Sequence, residues 1–67
     1  MENWIAEAVG KMHINHITQK NIAERLDVTN DYISMILLGK KMPKNAEERI
    51  TNAINEIIAE RQSNNQD

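Results

Sequence analysis

Three residues, Asp27-Val28-Thr29, separate two stretches of helical periodicity near the middle of the chain. A joint this short has no reach, so the helices on either side must touch at close range. Upstream, Ile22, Ala23 and Leu26 form a short apolar face, and Thr18 is placed to cap that helix by accepting a first-turn backbone N–H. Downstream, Thr29 is placed to cap a second helix over 30–38, with Asp31 just inside, where negative charge suits the helix dipole. Ile33, Ile36 and Leu37 recur at the spacing of a buried face, and Gly39 supplies the stop. Ala23 is small enough to let the pair approach. Asp27 is among the few non-glycine types that tolerate a left-handed backbone. Beyond Gly39, Pro43 keeps the second helix from continuing.

Two more amphipathic segments flank this pair. Trp4, Ile5, Ala8, Val9 and Met12 predict a helix over about 2–13 with one apolar stripe. Asn45 followed by Glu48 is a capping-box variant, and Ile50, Ala53, Ile54, Ile57 and Ile58 carry a fourth helix to about Arg61. The remaining QSNNQD has no apolar anchor and is expected to be a frayed polar tail over 62–67. No strand-period alternation or repeat occurs. The expected fold is all-α, a compact four-helix domain over 1–61.

Composition narrows the function classes. With 67 residues and no cysteine, the chain has room for a small aliphatic core but no disulfide, thiolate metal site or large ligand cavity. The start MENWIAEAVGK lacks the cation and apolar run of a signal peptide, and nothing approaches the ~20 apolar residues of a membrane span. A cytoplasmic protein with no membrane partner is expected. The formal net charge of −2 hides a segregation. Residues 1–10 carry Glu2 and Glu7, and 45–67 carry five acids against Arg49 and Arg61. Residues 11–44 carry six cations (Lys11, Lys20, Arg25, Lys40, Lys41, Lys44) against three acids. A basic middle between acidic ends suits a polyanion even when the total is negative.

The run ITQKNIAERLDVTNDYISMILLGKK resembles the helix-turn-helix of phage repressor/Cro-type regulators, the XRE family with the lambda-repressor-like fold. Thr18, Gln19, Ile22, Ala23, Leu26, Val28, Thr29, Ile33, Ser34 and Gly39 fall on that family's usual places without a gap, over about a third of the chain. The resemblance implies a sequence-specific double-stranded DNA-binding transcriptional regulator that lays helix 30–38 in the major groove. It implies base contacts from Asn30, Asp31, Ser34 and Met35, with Asn30 suited to adenine and Asp31 to the cytosine amino group. It assigns phosphate contacts to Gln19, Thr29, Tyr32, Lys40, Lys41 and Lys44. Two residues depart from the pattern. Asp27 stands where glycine is usual, and Leu38 stands where the family often has a polar residue, so Leu38 is expected to pack on Met42 or on a partner.

Blander readings stand beside these. Asn30, Asp31 and Ser34 are residue types that serve caps and first turns in any helix, and the lysines suit a solvated helix end. One module contacts few base pairs, so a homodimer on two half-sites is expected, with Ile54, Ile57, Ile58, Trp4 and Leu38 as its candidate surface. The alternative function is a protein-interaction module that keeps this fold and binds a repressor or antitoxin-like partner. His13 and His16 have no carboxylate or cysteine to complete a metal set, and no nucleophile–base pair or phosphate-cradling loop occurs. No cofactor, metal, small-molecule ligand or enzymatic activity is expected.

Overall fold

A computed structural model describes residues 3–64 of the chain. All of its regular structure is helical: α1 (Asn3–Ile14), α2 (Gln19–Leu26), α3 (Asn30–Leu37) and α4 (Ala46–Asn64). Helix α4 packs against α1 and α2, and α2 packs against α3. The core is aliphatic. Ile5, Ile22, Ile33, Ile36, Ile50 and Ile54 are its largest fully buried side chains, with Ala8, Met12, Ala23, Leu37, Ala53 and Ile57 around them. Ile17 and Ala46, which lie outside the periodic stripes of the sequence, are buried as well.

Three helices end in the same way, and these ends set the joints. At each, a residue in the left-handed region donates to the carbonyl three back, and the next residue donates to the carbonyl five back. This is the Schellman pattern. His16 (φ 57°) and Ile17 close α1 with bonds to His13 O and Met12 O of 3.3 and 2.8 Å. Asp27 (φ 59°) and Val28 close α2 onto Glu24 O and Ala23 O at 3.3 and 3.0 Å. Gly39 (φ 80°) and Lys40 close α3 onto Ile36 O and Met35 O at 3.0 and 2.8 Å. Asp27 thus holds the left-handed turn expected of it, and His16 is a second such site that the sequence conceals.

The starts of α2 and α3 follow from their threonines. Thr18 Oγ1 accepts from the Asn21 N–H at 3.1 Å while Asn21 Oδ1 accepts from the Thr18 N–H at 2.8 Å, a reciprocal capping box. Thr29 Oγ1 accepts from the Tyr32 N–H at 3.0 Å. The box predicted at Asn45 and Glu48 is not formed. Instead Ala46 donates to Pro43 O at 3.1 Å, and the turn before α4 satisfies its own backbone.

Gly39 is the end most sensitive to substitution. A Cβ there would meet nothing within 4 Å, so the cost of Gly39→Ala is purely that of an L-residue at φ +80°. A loss of about 1–2 kcal/mol is expected in urea denaturation, read as a lower midpoint at constant slope.

Several expectations need correction. Val9 is 43% exposed and turns away from the core stripe of Ile5, Ala8 and Met12. Helix α4 continues past Arg61 through Gln62 and Ser63 to Asn64, so the tail predicted over 62–67 begins no earlier than residue 65, and 65–67 lie outside the described residues. Ile54 (1% exposed) and Ile57 (7%) are core residues, because α4 has to cover both α1 and α2 and needs a broad apolar face. They are removed as dimer-surface candidates. Ile58 and Trp4 are half-buried against the same core.

Candidate nucleic-acid interface

Burial divides α3 into two faces. With about 100° per residue, Ile33, Ile36 and Leu37 fall on one side and Asp31, Ser34, Met35 and Leu38 on the other. The first three are buried, while Asn30, Asp31, Met35 and Leu38 are exposed and Ser34 is half-buried. Among the described residues, no intramolecular hydrogen bond occupies the side chains of Asn30, Asp31 or Ser34. The cap of this helix belongs to Thr29 alone. Asn30 and Asp31 are therefore free to act outward, and the capping role open to them in the sequence is not used.

Leu38 ends α3 and is 65% exposed, with Met42 (46%) and Met35 (40%) also open to solvent. Packing on Met42, one of the two expectations for Leu38, does not shield it: both side chains stay largely open to solvent. Gln19 opens α2 and is half-buried. Thr29 spends an oxygen lone pair on its cap bond and keeps its hydroxyl proton to donate. Tyr32 is half-buried, packed on the core, and Lys41 Nζ lies 5.9 Å from its ring centroid, at the outer limit of a cation–π contact.

The cations fall into two groups. Arg25 on α2 bridges to Glu56 at 3.2 Å and to Glu60 on α4. Its guanidinium is pushed above its ordinary pKa, first by the Glu60 hydrogen bond and, after some opposing desolvation, by Glu56. Lys11 donates to Asn55 Oδ1 at 2.8 Å, and Arg61 donates to the Asn15 and His16 carbonyls at the end of α1, the latter at 3.2 Å. These three tie α4 to α1 and α2. Among the described residues, Lys20, Lys40, Lys41, Lys44 and Arg49 have no ion-pair partner. The basic middle of the chain is thus partly consumed: Lys11 and Arg25 are structural, while Arg49, from the acidic end, joins the free set.

Arg49 shares a shallow hollow with Val28, Thr29 and Tyr32, beside the start of α3. Lys20 lies in the first turn of α2, next to Gln19. Neither carried a site assignment in the sequence. For Lys20 the neighbouring Gln19 was a usable signal. For Arg49 there was none, because its neighbours come from a helix twenty residues upstream.

No group of three or more His, Asp or Glu side chains that could hold a metal occurs among the described residues. None of the described helices is long and apolar enough to cross a membrane. Comparison with protein-family models, with curated proteins and with solved structures found no match for the chain.

Proposed function

We propose that the protein is a sequence-specific double-stranded DNA-binding regulator of the repressor/Cro kind, in which α2 and α3 act as a helix-turn-helix. The observation that carries this reading is the outward face of α3. It holds unengaged polar side chains at Asp31 and Ser34, with exposed Asn30 in the first turn beside it, and three lysines without ion pairs among the described residues, Lys40, Lys41 and Lys44, follow. A polar stripe with no internal use beside unpaired cations is what reading base edges between two phosphate strands requires. Met35 offers an apolar contact to a thymine methyl, and Asn30 a two-point contact to adenine. Gln19, Thr29, Tyr32 and the three lysines seat the module on phosphates, adding affinity without sequence information. The protein acts as a homodimer on two half-sites about one helical turn apart, its surface drawn from Leu38, Trp4 and Ile58 now that Ile54 and Ile57 belong to the core.

A pair of substitutions separates reading from seating. Asn30→Ala should relax preference at one base position and cost ~1–3 kcal/mol on the preferred duplex, whereas Lys41→Ala should weaken all duplexes alike. Binding to a panel of single-base variants checks this, and the same uniform effect from both substitutions would count against α3 as the reading element.

A second reading has its own observation. Leu38 and Met42 are both exposed, with Gly39, Lys40 and Lys41 between them in the chain, a surface suited to a protein partner. Under that reading the chain keeps the fold and binds a repressor or antitoxin-like protein, and it shows no salt-dependent affinity for duplex DNA.

A further inference from the structure

We propose that the hollow between the start of α3 and the start of α4 seats one backbone phosphate of the duplex, with Arg49 as its principal ligand. The inference rests on the DNA-binding reading above and adds to it a site on α4. The hollow has a volume of about 170 Å³, and Tyr32, Lys44, Asn45 and Arg49 form its polar lining over a floor of core side chains. Its outer lip runs on to Thr29. No aspartate or glutamate lines either part. Lys44 and Arg49 line the hollow with Tyr32, and Lys41, which lines neither part, has its Nζ 5.9 Å from the Tyr32 ring centroid.

Lys44 also lines an adjoining hollow with Glu47 and Glu48, whereas Arg49 has no ion-pair partner among the described residues, so an anion placed here would answer chiefly the charge of Arg49. The contrast lies within the same molecule. Arg25 is held by two glutamates and Arg61 by two carbonyls, while Arg49 on the same helix as Glu56 and Glu60 has neither. An anion at the outer lip would meet the fork of Arg49 and the hydroxyl proton that Thr29 retains, with Lys44 in the adjoining inner part, which suits a phosphate with two free oxygens. The occupant is a duplex phosphate because the hollow adjoins the very turn of α3 that carries Asn30 and Asp31. A strand whose bases those residues read passes its phosphates beside that turn.

The test compares the wild-type protein with Arg49→Gln on a duplex selected from a random library, over a range of salt concentrations. Folding is checked by thermal melting, and single phosphates are replaced in turn by neutral methylphosphonates. The expected result is a log–log salt slope shallower by about 0.9 for Arg49→Gln, a roughly eightfold loss near 0.1 M salt, and one methylphosphonate position that weakens the wild type but not the variant. An unchanged slope would overturn the inference while leaving the DNA-binding reading intact, as would weaker binding with the slope retained. Saturable binding of inorganic phosphate that Arg49→Gln abolishes, with no effect of the substitution on duplex binding, would reassign the hollow to a free anion and equally overturn the inference. A wild-type protein without any salt-dependent duplex binding would overturn the function reading itself.

Discussion

Ile54→Ala is expected to unfold most of the protein at 37 °C. The side chain is 1% exposed between α1 and α4, and removing its buried methyl groups costs about 2–5 kcal/mol in transfer and cavity terms. A single core in a domain of this size without disulfide or metal rarely supplies more than about 3–5 kcal/mol. One truncation therefore competes with the whole of it. Urea denaturation followed by circular dichroism measures the loss, and performing it at two protein concentrations adds a second readout. A core residue lowers the midpoint equally at both. If Ile54 lay in a dimer surface instead, the loss would shrink as concentration rises.

Replacing Lys40, Lys41 and Lys44 together with Gln should leave the fold almost unchanged and reduce duplex affinity by roughly two to three orders of magnitude near 0.1 M salt. The three are exposed and free of ion pairs among the described residues, so their removal breaks no salt bridge and gives up only the marginal contact of Lys41 with the Tyr32 ring. Each phosphate contact contributes about 0.9 to the log–log salt slope, so the slope should fall by about 2.7. Lys11, Arg25 and Arg61 provide the contrast. Their substitution should disturb the attachment of α4 to α1 and α2 and act on thermal stability first, because their partners are within the chain.

The elements that could be read from sequence are those whose causes are local. Thr18 and Thr29 cap the helices they immediately precede, and Asp27 and Gly39 end the ones they follow, so the limits of α2 and α3 come within a residue of expectation. His16 was not legible as a turn residue. It takes the left-handed conformation because Ile17 must return to bury itself beside Met12, and that demand is tertiary. The extension of α4 past Arg61 is tertiary too, since Arg61 is fixed by carbonyls at the end of α1, and a helix already nucleated there continues at little cost.

The candidate site was legible by subtraction. Once Ile33, Ile36 and Leu37 are assigned inward, the residues left over on α3 are the outward set, and the structure leaves them exposed or half-buried. The charges were less legible. Counting lysines and arginines along the chain cannot show that Arg25 is spent on Glu56 and Glu60, or that Arg49 is left free opposite Tyr32. The isoleucines of α4 misled for a related reason. A wide apolar stripe reads equally as a dimer seam or as the cover for two helices, and only the packing of α1 and α2 on α4 decides between them.

Whether the outward face of α3 reads duplex DNA is decided by selecting bound sequences from a random duplex library and titrating the enriched duplex with salt. Enrichment of a short motif is expected, repeated with twofold symmetry if the dimer forms, with an affinity that falls linearly in log–log terms as salt rises. A library that emerges unenriched, or a duplex affinity indifferent to salt, would contradict that role for α3.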